Sequence, residues 1–255
     1  MDTICCLLLL VLVIPGTIRV EAAQGVAPHS MAVAQSEPKD IRETFLALPR
    51  PKRIDELFAG MINDSAARKR LLDNTDFSDG VSVLDIPNGY LKIDVKIAGE
   101  GSSADRHGYI VVTSFTKRNH DRLVVLQLTN LNDYPDTVVE DHYYLLSGAT
   151  CVEEAGSNFL PSISFFGDFW GEQPLPATQV KEYVKNLGEG SYYNIEWPRH
   201  GTVAKANSLI PYSDTDSKEQ RTVERILGKR QYKTMELIWD KDRGSFVKGA
   251  KTRNR

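Results

Sequence analysis

The chain has 255 residues, of which 41% are hydrophobic and 25% charged, with a formal net charge of −3. This is the balance of a globular chain long enough to bury a core without covalent staples. A charge this small points to neither a nucleic-acid nor a membrane partner.

The first clue comes at the start. Ile4 to Ile14 is an unbroken apolar run closed by Pro15-Gly16, and Val20-Glu21-Ala22 follows with small residues where a signal peptidase reads. The run is too short for a spanning helix and reads as a secretory signal, 1–22, cut near Ala22. Met1-Asp2-Thr3 supplies no Lys or Arg, so the positive charge usual before such a run rests on the α-amino group alone. Cys5 and Cys6 lie inside the run, which leaves Cys151 as the lone thiol of the mature chain. A single thiol cannot form an intrachain disulfide, so the mature protein stands on its core. Low cysteine content favours a bacterial periplasm or exterior.

The stretch 23–37 is Ala/Gln/Ser/Pro-rich and reads as a flexible lead-in. Ile41, Phe45 and Leu48 then carry a short helix that Pro49 and Pro51 stop. A second helix is expected over 52–61. A third is expected over 66–72, behind the capping oxygens of Asn63-Asp64-Ser65, with Arg68-Lys69-Arg70 as a solvated face.

Strands follow. Residues 81–86 and 90–97 pair across Pro87-Asn88-Gly89, where Asn-Gly tolerates the positive φ of a tight turn. Leu91, Ile93, Val95 and Ile97 alternate with Tyr90, Lys92, Asp94 and Lys96, the period-2 mark of a half-buried strand. After a polar loop, 99–108, further strands are predicted over 109–115, 123–128 and 138–146. The nearly continuous apolar run of 123–128 marks a central strand. A short helix is predicted over 177–187, a strand over 192–197 with its partner beginning at 201–206, and a helix over 219–227. A closing hairpin is built from 231–239 and 246–247, with Met235, Leu237 and Trp239 on one side. The tail, 248–255, is basic and reads as disordered.

Four stretches carry a resemblance: a helix with Phe45-Leu46-Ala47-Leu48-Pro49 opens the order and a Leu237-Ile238-Trp239 hairpin closes it, with two motifs between. Leu84-Asp85-Ile86-Pro87-Asn88-Gly89-Tyr90-Leu91 lies early, and Trp197-Pro198-Arg199-His200-Gly201-Thr202 lies late. Their order resembles that of uncharacterised exported bacterial proteins of similar length, with an N-G-Y-L hairpin followed by an L-P-R-x-G-T stretch. Trp197 stands where that pattern has Leu. The resemblance implies export and an α+β fold; it transfers no catalytic residue.

Recognisable chemistry is sparse. Cys151 and His142 are nine residues apart, and strand alternation gives them no reason to meet as a nucleophile and base. The histidines lack metal-ligand spacing, and Ser213-Asp214-Thr215-Asp216-Ser217 alternates acids without the glycine a calcium loop needs. No G-x-S-x-G, G-x-G-x-x-G or P-loop occurs. The Gly-flanked aromatics Phe165, Phe166, Phe169 and Trp170 have two readings, a loop packed over the core or a recognition surface.

The sequence therefore predicts one α+β domain, 38–247, mainly antiparallel sheet with short N-terminal helices and one or two further helices packed on it. The expected function is an exported envelope or extracellular binding or structural protein, without catalytic residues, metal or cofactor. Its expected partner is a protein or carbohydrate, with no nucleic acid and no transmembrane anchor. The alternative is a secreted hydrolase working with two carboxylates on cell-wall or polysaccharide substrates.

Overall fold

The computed structural model describes residues 37–54, 56–74, 78–97, 106–131, 137–170, 193–209 and 232–253, with the isolated positions 176, 178 and 181. The leader, nearly all of the lead-in, most of the helix expected over 177–187, the acidic loop 213–217 and the helix expected over 219–227 lie outside these residues.

Three short helices precede the strands: α1 (Ile41–Ala47), α2 (Glu56–Ile62) and α3 (Ser65–Leu72). A helix start leaves amides without partners, and aspartates supply the acceptors. Asp40 accepts from the amides of Arg42 and Glu43 at 2.8 and 2.9 Å, and Asp64 from that of Ala67 at 2.8 Å.

Six strands then form an antiparallel meander in chain order: β1 (Ser78–Asp85), β2 (Tyr90–Ile97), β3 (Arg106–Thr116), β4 (Arg122–Leu131), β5 (Thr137–Ser147) and β6 (Thr150–Glu154). Four more make a second antiparallel sheet, with β7 (Tyr193–Glu196), β8 (Val203–Ser208), β9 (Tyr232–Asp240) and β10 (Ser245–Arg253) as consecutive neighbours. The fold is thus α+β and dominated by antiparallel sheet.

Alternation along the strands builds three layers. Leu91, Ile93, Ile110, Val112, Val124 and Leu126 pack with Ile41, Phe45, Phe58, Ile62 and Leu71 of the helices. Their neighbours Val111, Phe115, Leu123, Val125 and Tyr143 point the other way and pack with Ile195, Trp197, Ala206, Met235, Leu237 and Trp239 of the second sheet. The first sheet is therefore buried on both faces at its centre, which explains the unbroken apolar run of β4. Polar bonds pin the second sheet to the first. The Trp239 indole donates to the Thr116 carbonyl of β3 at 3.0 Å, and the Phe246 amide of β10 donates to the Phe159 carbonyl, in the turn after β6, at 2.7 Å.

Three expectations change. The tail is not disordered up to residue 253: β10 continues through Arg253, with Lys251 and Thr252 paired to Met235 and Thr234 of β9. Cross-strand pairing orders a segment whose own composition, rich in Lys and Arg, carries no strand signal. Strand β6 was not legible, because Thr150 to Glu154 has no clear alternation and gains its order from pairing with β5.

The basic run on α3 divides. Lys69 and Arg70 are exposed, but Arg68 is 1% exposed. Its Nε donates to the Ile62 carbonyl at 3.0 Å, and its two Nη atoms reach the carbonyls of Phe45, Leu46, Leu48 and Pro49. These oxygens lie at the C-terminal ends of α2 and α1, where carbonyls lack helical partners and the helix dipole is negative. The planar guanidinium fork fits such a converging set of acceptors. Burial pulls its pKa below the ordinary arginine value.

Candidate functional site

Two of the stretches that carry the resemblance, Leu84–Leu91 and Trp197–Thr202, meet in space. At the end of β1 the Asp85 carboxylate turns back over Ile86-Pro87-Asn88, accepting from the Asn88 side-chain amide at 2.9 Å and its backbone amide at 3.4 Å. Such Asx bonding closes a tight turn. Gly89 follows at φ +62°, a left-handed conformation that glycine adopts without cost. A Cβ at Gly89 would also run into the Ser114 hydroxyl.

Across 114 residues of chain, Arg199 donates from Nε to Asp85 Oδ2 at 3.0 Å, and His200 Nδ1 lies 3.5 Å from the same oxygen. Asp85 is nearly buried, whereas the Arg199 and His200 side chains are 52% and 64% exposed. The Asn88 hydrogen bond, then that from Arg199, holds the Asp85 carboxyl below the usual carboxylate range. The joint presents a guanidinium and an imidazole to solvent, with Ile86, 48% exposed, next to the aspartate.

A lowered folded-state pKa means that the joint stabilises the protein above the unfolded value of 3.8 and that this is lost as pH falls through the lower folded value. Asp85→Asn is accordingly expected to melt below the wild type at pH 7, with the gap closing as both are acidified below 3.8. A gap that stays constant down to pH 2 would show that charge on Asp85 does not hold the joint.

The same late stretch reaches a second acid. Asp141 on β5 faces the second sheet, where Oδ1 accepts from the Gln127 amide at 3.1 Å and the Trp197 indole at 3.4 Å. Its Oδ2 accepts from the Tyr143 hydroxyl at 3.4 Å. Desolvation pushes this carboxyl up to about 6, against the pull of those three hydrogen bonds. A raised carboxyl between two sheets is the arrangement that acid–base chemistry uses, and also one that buried structural acids share. No signal in the sequence marked Asp141 out, because its environment is assembled from residues 14 and 56 positions away.

His142, the next residue, points to the helix side. Its Nδ1 lies 3.0 Å from Glu153 and its Nε2 3.1 Å from Glu140. Both ring nitrogens are thereby engaged by carboxylates. The Cys151 thiol is partly buried, and desolvation pushes it up to about 11, which favours the neutral thiol over the thiolate.

The aromatic candidates separate. Phe165 and Phe169 are 6% and 0% exposed and belong to the core between the sheets. Phe166 and Trp170 are half-buried against that core, their ring centroids 6.1 Å apart. Of the two readings, core packing holds for Phe165 and Phe169, while Phe166 and Trp170 stay partly exposed at its margin. Residues 165–169 form a single π turn that Ser164 caps, and Asp168 within it accepts from Lys248 of β10 at 2.8 and 2.9 Å. That anchoring turns Phe165 and Phe169 inward. Among the described residues no cluster of His, Cys, Asp and Glu is arranged to hold a metal ion, and no helix is long and apolar enough to cross a membrane.

No protein family model and no curated protein matches this sequence. Among solved structures, a domain of an uncharacterised protein from Porphyromonas gingivalis W83 is similar to it. The match covers 82% of this chain and 98% of that one, at 12% identity and a TM-score of 0.49.

Proposed function

We propose that this chain is an exported, non-enzymatic binding or structural module of an envelope or extracellular space, meeting a protein or carbohydrate partner. One observation carries the reading: three well-buried acids of the described structure tie together segments distant in sequence. Asp85 clasps Arg199 and His200, Asp168 clasps Lys248, and Glu153 holds His142 while accepting from the Lys52 amide at 2.7 Å. Rigid scaffolds of this kind present surface for recognition. The apolar run Ile4–Ile14 with Val20-Glu21-Ala22 supports export.

Expression in a secreting bacterial host tests the export half. The mature protein is expected outside the cytoplasm with its N-terminus near Ala23. Recovery only in the cytoplasm with Met1 retained would overturn it.

The alternative, a carboxylate hydrolase, draws on Asp141 and its raised pKa. Its hydrogen bonds come from three neutral donors, whereas glycoside hydrolysis needs a second carboxyl placed across the substrate. Cleavage of peptidoglycan or polysaccharide by the wild type, abolished in a folded Asp141→Asn variant, would establish the enzyme instead.

A further inference from the structure

The second sheet has two unlike faces. Ala204, Ala206, Met235, Leu237 and Phe246 point inward and join the core between the sheets. Alternation sends their neighbours to the outer face, and none of these belongs to either buried cluster. Register arranges that face in rows across the strands. In the first row Val203 of β8 stands opposite Ile238 of β9, which stands opposite Val247 of β10. The second row pairs Lys205 with Glu236, and the third pairs Asn207 with Thr234.

The first row is apolar and open. Five large hydrophobic side chains are exposed among the described residues, and two of them meet here, Val203 at 36% and Ile238 at 37%. Gly249 of β10 makes room for Ile238, whose Cδ1 would lie 2.8 Å from a Cβ at that position. In the second row Lys205 is exposed. Glu236 accepts from the Ala250 amide at 3.4 Å, a long bond that leaves its carboxylate with acceptor capacity.

We infer that this outer face is the contact surface for a second copy of the chain, joined about a two-fold axis that runs parallel to the strands between β8 and β9. Stacked sheets lie about 10 Å apart with their strands nearly aligned. About this axis β8 of one copy lies over β9 of the other. Lys205 then faces Glu236 of the second copy, and symmetry repeats the contact. Val203 lies over Ile238, and Asn207 over Thr234. Glu196, next in the charged row on β7, comes over the uncharged Gly249-Ala250 bulge of β10. Other axes fit worse. One along β9 sets Glu236 over its own copy, and one across the strands does the same to Lys205. The inference goes beyond the proposed function and stands whether or not the chain is exported.

Sedimentation velocity of the full chain from about 1 μM to 1 mM, the span of weak to moderate association, tests it. The wild type is expected to pass from monomer to dimer within that span. Lys205→Glu or Glu236→Lys alone sets like charges opposite each other twice per dimer. Each is expected to weaken association about tenfold or more. The double reversal restores opposite charges and is expected to recover the wild-type dimer, as is an equimolar mixture of the two single variants. A wild type that stays monomeric throughout, or one that dimerises no better than the single variants, would overturn the inference. So would a double reversal no better than the singles. Circular dichroism checks that each variant folds. Should one fail to fold, carbodiimide cross-linking of mixed nitrogen-15-labelled and unlabelled wild type decides. Lys205–Glu236 links that join a labelled to an unlabelled peptide support the inference, and links confined to one isotope refute it.

Discussion

Arg68→Ala is expected to lower the stability of the folded chain by about 3–5 kcal/mol, the order expected when several buried carbonyls lose a shared charged donor. The guanidinium serves five backbone carbonyls contributed by α2, α1 and the turn after α1. Backbone oxygens cannot be removed by a second mutation, so truncation leaves acceptors buried and unpaired at about 1–3 kcal/mol each, softened where water reaches them. An apolar replacement of similar length therefore gives little relief, and Arg68→Met is expected to fall close to Arg68→Ala. This departs from buried ion pairs, where both partners can be replaced together. Arg68→Lys keeps the charge but lacks the planar fork, and is expected to lie between wild type and alanine. Urea unfolding at neutral pH measures all three. An Arg68→Met variant as stable as the wild type would show that the carbonyls are satisfied without the guanidinium.

Trp197→Ala is expected to cost about 3–5 kcal/mol, as for other large aromatics removed from a core. The indole is 5% exposed and sits among Phe115, Tyr143 and Phe246, at centroid distances of 6.0, 6.1 and 5.6 Å. Phe115 and Phe246 are themselves packed edge to face at 4.9 Å, so this group of rings forms much of the seam between the sheets. Close-packed rings relax little into a void of that size. Trp197→Phe keeps most of the apolar contact while removing the hydrogen bond to Asp141. It is expected to cost less than alanine. Denaturant midpoints of the two variants check this. A Trp197→Ala chain within about 1 kcal/mol of wild type would be inconsistent with a fully packed core site.

These two positions differ in how far their neighbours could be foreseen. Trp197 was placed at the end of a strand, and the structure puts it immediately after β7, facing inward. Arg68 opens the basic run Arg68-Lys69-Arg70, which reads as a solvated face, and Lys69 and Arg70 do face solvent. The helical pattern alone could not show that the C-terminal carbonyls of two other helices converge on one turn of α3. Phe165 and Phe169 repeat the lesson. Flanking glycines leave a core loop and a recognition surface both open, and only the structure packs these two rings into the core, with Asp168 paired to Lys248 80 residues away.

Side-chain alternation and turn chemistry act over a few residues, so the amino-acid order by itself determined most of the strands of the first sheet. It also determined the Asn-Gly reversal before β2 and the inward set Met235, Leu237 and Trp239 of β9. The tertiary structure alone decided that Asp85 meets Arg199, that Asp141 lies under β7, and that the basic tail is paired as far as Arg253. Each of these depends on how layers stack and which edges pair. The energies involved come from desolvation and from groups brought together across 14 to 114 residues of chain.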